Sequence, residues 1–574
     1  MNKLVVFSVL VISASYAHAQ VWTRLAGVGS YDFGYAVAVD PFGNSIITGG
    51  TQGSMAGANA GRYDMFVGKY DPAGNLLWLN QRGTVEREFG FGVATDAAEN
   101  IYVTGYTGSA LDGNNHIGSW DIFLMKFGPT GNWLWTRQDG TGQDDEGRAI
   151  ATDSSGNVYI TGYVRGNFHG IPRVGTADVF ISKYDSAGNR LWSALFGSPE
   201  VDESFGITCD ASGNVFVTGW CSGSIEGNPY LGNGDNYLVK YNTSGQRQWL
   251  RVWGTINKDT GYSLACDAAE NVYVSGYSTG SLYAPKAGNR DLFLAKYDAS
   301  GNLIWGRQTG TSQHDQAWGV ATDADGNAYV AGETGGPLNG NLCQGELDVF
   351  LSKYDPAGTR LWTSQMGTGD GDWADGVAVA GNGDVFVGGS TYGNLEGSTN
   401  QGLSDAFVMK FVPTTEVPPA EPTDALASPA AVCSGGSAQL SATPGSGGDT
   451  VEWFTLDCPS TAVPGGTSPT VSPSETTDYC ARTKDSATGA VSTCVTVTVA
   501  VNTPVPADLD QDCDVDQSDF ELFQACASAS AVPLSPGCES SDLSIDNDVD
   551  QSDFAIFQRC WSGESILPDP NCAD

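Results

Sequence analysis

A tryptophan recurs along most of the chain, at Trp78, Trp135, Trp192, Trp249, Trp305 and Trp362, each 56 or 57 residues after the last. It closes a G-N-x-x-W run, slightly altered at Trp249 and Trp362, and Trp22 precedes the series by a similar interval. A second motif, D-x-[FY]-x-x-K-[YF], starts at Asp64, Asp121, Asp178, Asp235, Asp291, Asp348 and Asp405. Self-similarity at a fixed long period marks a chain assembled from one supersecondary unit. In the first unit the β-rich runs are YAVAV (35–39), SIITGG (45–50), MFVGKY (65–70) and LLWLNQ (76–81). They are separated by D-P-F-G-N, a longer loop and D-P-A-G-N. Asp opens such a turn with a side-chain acceptor, and Gly-Asn tolerates the positive φ of a tight hairpin.

Four antiparallel strands per unit, repeated radially, describe a β-propeller blade. One blade cannot bury both its faces, so the recurring Trp, Phe and Tyr are expected between blades. The seventh unit ends in FVMKFVPTTE without a Trp-bearing fourth strand, while VWTRLAG around Trp22 matches WTRQDG after the second unit. The N-terminal strand is therefore predicted to complete the last blade, and closure removes an edge that would otherwise pair with other chains. The expected fold is mainly β: a seven-bladed propeller of four-stranded antiparallel blades over residues 20–414. On these motifs the chain resembles the propeller-repeat (SBBP-type) proteins secreted by bacteria, over residues 22 to about 414. The resemblance implies a fold and no particular activity.

The N-terminal MNKLVVFSVLVISASYAHA has a positive start at Lys3, an apolar run from Leu4 to Ile12, and small residues at Ala17 and Ala19. It reads as a signal peptide over 1–19, too short in its apolar part to span a bilayer, and predicts a secreted or cell-surface protein. No later segment is long enough for a membrane span. A net charge of −39 disfavours nucleic acid and anionic membrane surfaces, and suits divalent cations outside the cell.

The long, variable loops and the links between units fall at one end of the blades, the top, where ligand contacts are expected. There an acid recurs at Asp32, Glu88, Asp145, Asp202, Asp259, Asp315 and Asp372. Two readings of this candidate ring stand: a site for a cation or polar ligand, or loop closure by carboxylates accepting backbone N–H bonds, which sevenfold equivalence favours. Lys69, Lys126, Lys183, Lys240, Lys296, Lys353 and Lys410 lie on the opposite strand parity and are expected between blades, each paired with an acid. His116, His169 and His314 carry no metal-ligand spacing, and no nucleophile elbow or P-loop has a suitable context, so no catalytic residue is assigned.

Residues 415–430 read as a Pro-rich linker. The strand-rich stretch 431–502, with VCSGGSAQLSA, VEWF and TTDYCA, resembles the immunoglobulin-like β-sandwich modules of secreted bacterial proteins. With that resemblance goes a pairing of Cys433 with Cys494 and of Cys458 with Cys480, although sequence alone leaves connectivity open. In 503–574, DLDQDCDVDQSDFELFQAC matches DLSIDNDVDQSDFAIFQRC 34 residues later. Oxygen-bearing residues fall at loop positions 1, 3, 5, 9 and 12: Asp508, Asp510, Asp512, Asp516 and Asp519, then Asp542, Ser544, Asp546, Asp550 and Asp553. Asp514 and Asp548, at position 7, would offer backbone carbonyls. This is the oxygen spacing of an EF-hand Ca²⁺ loop, here followed but not preceded by a helix. The half-hand pair resembles the calcium repeats of type I dockerins, small α-helical domains, and that resemblance implies a cohesin-type partner. Position 6, usually Gly, is Cys513 or Asn547. Cys526–Cys538 and Cys560–Cys572 are expected as local disulfides, leaving Cys513 without an equivalent partner.

The function expected from these parts is a secreted, non-enzymatic binding or structural protein. Its top face would recognise a glycan or protein ligand, and its Ca²⁺ loops would dock or anchor it to an extracellular or cell-surface protein. The competing reading is a polysaccharide-acting hydrolase or lyase, which requires a distinctive acid pair that near-equivalent blades do not offer.

Overall fold

The computed structural model describes residues 18–341, 343–413, 421–433, 436–446, 448–455, 461–484, 491–502, 505–510, 513–528, 532–563, 566, 568–569 and 571–572. The stretch expected to be a signal peptide, apart from His18 and Ala19, lies outside them, as do Cys458, Asp512 and the start of the expected linker. The chain divides into two compact units at Pro413/Thr414.

In the first unit, β1 (His18–Ala26) is followed by β2 (Asp32–Val39), β3 (Ser45–Thr51), β4 (Asp64–Tyr70) and β5 (Leu76–Arg82). Strands β2 to β5 form a four-stranded antiparallel sheet in chain order, and the pattern recurs five more times. The seventh four-stranded sheet is assembled from both ends: β1 pairs antiparallel with Asp405–Pro413, Trp22 facing Lys410. The described residues of this unit are thus mainly β, in propeller-like repeated four-stranded sheets. The second and third strands of each sheet are buried almost throughout, for instance Ser45–Thr51 and Asp64–Tyr70. The fourth is half exposed, as in Leu76–Arg82.

The repeated residues explain the assembly. In the turn after β2, the Asp40 carboxylate accepts hydrogen bonds from Phe42 N at 2.9 Å, Asn44 N at 3.0 Å and Asn44 Nδ2 at 2.7 Å. Gly43 supplies the positive φ of 80° that the turn requires. The tryptophans rivet sheet to sheet: Trp22 Nε1 donates to Pro72 O at 3.2 Å, Trp78 to Pro129 O at 3.1 Å, and Trp305 to Pro356 O at 3.0 Å. Each indole lies on a turn glycine of the next sheet; a Cβ at Gly74 would sit 2.9 Å from Trp22, and one at Gly358 2.8 Å from Trp305. The lysines act at the same junctions. Within its own sheet Lys69 pairs with Asp40 at 2.7 Å and Lys410 with Asp384 at 2.7 Å, while across the junction Lys126 Nζ donates to Ser186 O and Lys410 Nζ to Pro72 O, both at 2.9 Å. The seventh sheet therefore grips the first through the contact that joins the other sheets.

The second unit begins with a three-stranded and a five-stranded sheet sharing a core that includes Leu440, Val471, Trp453, Ala481 and Val499. Cys480 is buried with its Sγ 3.9 Å from Thr496 Oγ1, and the Cys458 expected to pair with it lies outside the described residues. On the neighbouring strands Cys480 stands opposite Phe454 and Thr496. Cys494 is disulfide-bonded, and so is Cys513, which corrects the expectation that Cys513 lacks a partner.

Two helices follow, α1 (Gln517–Cys526) and α2 (Gln551–Cys560), each opened by a reciprocal capping box, Asp516 with Asp519 and Asp550 with Asp553. Their aromatic faces meet, with Phe523 and Phe557 ring centroids 5.1 Å apart. Disulfides Cys526–Cys538 and Cys560–Cys572 staple the chain after each helix.

Candidate functional site: the top face, its channel and the acidic loops

The seven recurring acids each occupy the first residue of an innermost strand and are wholly buried. Asp32 accepts from Val28 N at 2.7 Å and from Thr51 Oγ1; Glu88 from Thr84 N at 2.6 Å and Thr107 Oγ1 at 2.8 Å. Asp145 takes Thr141 N and Arg165 N, Asp202 takes Ser198 N and its hydroxyl, and Asp259 takes Thr255 N and Ser278 Oγ. Asp315 and Asp372 repeat the pattern with Thr311 and Thr334, and with Thr368 and Thr391. Their oxygens are spent on closing their own loops. Burial, against these hydrogen bonds, still pushes the carboxyls of Asp32, Asp145 and Asp202 up to about 6.

The units stop being equivalent just beside these acids. On the top of the first, second and seventh sheets runs an arc of aromatic rings. Tyr392 meets Trp373 at 5.2 Å, Trp373 meets Phe33 at 6.5 Å, Phe33 stacks on Tyr63 at 6.4 Å, and Tyr63 meets Phe89 at 4.7 Å. Phe89 continues to Tyr106 at 5.6 Å, which stacks on Trp120 at 4.8 Å. Tyr392 is 41% exposed, and Phe33, Tyr63, Trp120 and Trp373 are half-buried. The other side of the top is charged and polar: Arg148 pairs with Glu146 at 2.6 Å, Tyr163 Oη donates to Glu146 at 2.6 Å, and Arg290 donates to Gln316 Oε1 at 2.6 Å.

Below the arc, all seven innermost strands line one cavity of about 450 Å³. Sequence reasoning passed over this ring, though a signal exists: three residues after each recurring acid, small neighbours flank one bulky, variable position.

The histidines take structural partners: His116 Nδ1 lies 3.2 Å from Asp121, and His169 Nε2 lies 2.7 Å from Asp139.

In the second unit the loop acids converge. Carboxylate oxygens of Asp508, Asp510 and Asp519 lie within 4.8 Å of one another, as do those of Asp514, Asp516 and Asp519. The second loop repeats this with Asp542, Asp546 and Asp553, and with Asp548, Asp550 and Asp553. Asp514 and Asp548 thus bring side chains as well as the carbonyls expected of them. Asp519 gathers Leu509 N at 2.6 Å and Asp516 N at 2.9 Å; Asp553 gathers Ser544 N and Asp550 N, both at 2.8 Å. Ser544 Oγ is buried without a hydrogen-bond partner. Cys513 and Asn547 hold the positive φ of position 6, at 76° and 74°.

Residues 21–54, 134–169 and 304–339 match the SBBP β-propeller repeat. The chain is a β-propeller protein. Two curated proteins are similar to it. One is an uncharacterized WD repeat-containing protein of Acanthamoeba polyphaga mimivirus, 23% identical over 57% of this chain and 31% of that protein. The other is the regulatory protein FlaEY of Caulobacter vibrioides, 26% identical over 55% of this chain and 38% of that protein. The chain thus spans about a third of the length of each relative. Among solved structures, the Pan2 WD40 domain of Neurospora crassa aligns with 70% of this chain and 98% of its own, at 9% identity and a TM-score of 0.38.

Proposed function

We propose that the protein is a secreted, non-enzymatic binding protein. In this reading a seven-bladed propeller recognises a glycan on its top face, an immunoglobulin-like module spaces it from a dockerin-like tail, and Ca²⁺ orders that tail for docking to a surface protein. The observation that carries the recognition reading is the arc from Tyr392 through Trp373, Phe33 and Tyr63 to Trp120. Rings half-buried side by side, on rigid strand ends, are suited to stacking on the apolar faces of sugar rings and lose little entropy when they do so. The relatives named for WD repeats and for regulation leave a protein ligand as the variant of the same reading.

The deciding measurement is a glycan array with the whole chain, followed by the Trp373→Ala and Trp120→Ala variants. Binding lost in both variants, with thermal stability kept, supports the reading; binding unchanged in both ends it. For the tail, the two acid clusters per loop around Asp519 and Asp553 match the many hard oxygens that Ca²⁺ needs. Calorimetric titration of the whole chain with Ca²⁺ is expected to show binding that Asp519→Ala and Asp553→Ala together abolish. A wild-type chain that takes up no Ca²⁺ would refute the docking role.

A further inference from the structure

Each innermost strand carries one irregularity in its pairing, and all seven fall at the same place. The register slips between Gly34 and Ala36, Gly90 and Gly92, Gly147 and Ala149, and Ser204 and Gly206. It slips again between Gly261 and Ser263, Ala317 and Gly319, and Ala374 and Gly376. The extra residues are Tyr35, Phe91, Arg148, Phe205, Tyr262, Trp318 and Asp375, and every one lines the cavity. A bulge re-aims a side chain at the cost of a ladder bond, and here seven bulges aim at one space.

Six of the seven touch in series. Tyr35 meets Phe91 at 5.0 Å, the Arg148 guanidinium lies 4.5 Å from the Phe91 ring and 5.8 Å from Phe205, Phe205 meets Tyr262 at 5.1 Å, and Tyr262 meets Trp318 at 4.1 Å. Asp375 is the short member, on the strand between those of Trp318 and Tyr35: a Cβ at Gly319 would meet Gly376, and one at Gly376 would meet Val37. The ring's gap therefore lies at its one carboxylate, with an indole on one side and a phenol on the other. Arg148 is neutralised by Glu146 at 2.6 Å. Asp375 has no such counter-charge: its side chain takes one hydrogen bond, from Trp373, its Oδ2 has no hydrogen-bond partner, and the charge that acts on it is Glu333, of the same sign. Burial, reinforced by Glu333, pushes its carboxyl well above the ordinary range.

We propose that the channel cavity is a binding site for a small organic cation, an alkylammonium or quaternary ammonium group seated on Asp375 between Trp318 and Tyr35. Aromatic faces attract such a cation through their quadrupoles, more strongly once it is desolvated, and the Asp375 carboxyl, releasing its proton to solvent as the cation enters, supplies the counter-charge. A hard metal ion does not suit the place, because Ca²⁺ needs six to eight oxygens and the ring offers one carboxylate. The site lies within the channel, below the glycan platform on the rim, and touches it through the hydrogen bond from Trp373 to Asp375.

The test is calorimetric titration of the whole chain with choline and with its neutral isostere 3,3-dimethylbutan-1-ol, in the wild type and in Asp375→Asn and Trp318→Leu. Choline is expected to bind the wild type at least about tenfold more tightly than the isostere, and each substitution to weaken choline by about tenfold or more. Equal affinity for choline and the isostere would overturn the proposal, as would choline binding that survives Asp375→Asn, or no choline binding at all. Trp120→Ala, in the rim arc and outside the cavity lining, is expected to leave choline affinity unchanged, which separates failure of this site from failure of the rim.

Discussion

Asp32, Asp145 and Asp202 start equivalent strands with no exposed surface, and burial holds their carboxyls near 6 against an ordinary 3.8. The folded state then binds protons that the unfolded chain has released, so stability falls as pH rises from about 4 through about 6. Asp40, Asp153, Asp267 and Asp323 act the other way. Burial raises them, but the turn asparagines and the paired lysines outweigh it and hold them low, so their contribution is lost as pH falls below 3.8. Calorimetric melting is expected to peak at about pH 4 to 5 and to decline on both sides. A midpoint still rising from pH 5 to 7 would contradict these assignments. Asp375 gives a sharper case. Its carboxyl lacks a partner on Oδ2, so Asp375→Asn should raise the melting midpoint, by about 1–3 kcal/mol of stability, while removing cation affinity. A midpoint that drops would mean that the carboxylate is held by the fold.

At the scale of the element, the turn close to D-x-x-G-N is the unit that makes the sheets, and two copies break its rule at the glycine. Glu99 and Glu270 stand where the others have Gly, at φ of 60° and 63°. A non-glycine side chain in the left-handed region costs about 1–2 kcal/mol, against which glycine loses some unfolded-state entropy. Glu270→Gly is therefore expected to stabilise by about 0.5–1 kcal/mol in denaturant unfolding. The same logic condemns the converse at the rivets. Gly358→Ala, at φ 82° and with its Cβ 2.8 Å from the Trp305 indole, should destabilise by about 1–3 kcal/mol, and Trp305→Ala by about 2–3 kcal/mol. If both were silent, the indole contact between sheets would not be what binds them.

Over the whole molecule, one short strand carries the closure. The strand β1 covers the edge of Asp405–Pro413, and Trp22 and Lys410 share Pro72 O across the junction. A chain beginning after Ala26 would present that edge to other molecules and lose the grip on the first sheet. Such a truncation is expected to lower the melting midpoint markedly and to aggregate on light scattering, and a monomeric, equally stable product would show that the junction is dispensable. The net charge of −39 adds a diffuse repulsion. Salt screens it but leaves the buried carboxyls alone, so the acid maximum should persist at high ionic strength.

The period of 56 or 57 residues, the turn motif and the displaced Trp22 determined the repeated four-stranded sheets and the strand exchange between chain ends, because turn chemistry and strand alternation are local. They also placed Cys526–Cys538 and Cys560–Cys572, whose short separation leaves few alternatives. What the tertiary structure decided is everything that depends on direction and neighbour. It showed that the seven acids turn inward to their loops, and that Phe33, Trp373 and Trp120, far apart in the chain, share one arc. It also showed that one bulge per strand sends Asp375 and six larger side chains into a single cavity. A bulge changes no composition and almost no pattern; it is visible only when paired strands are laid side by side.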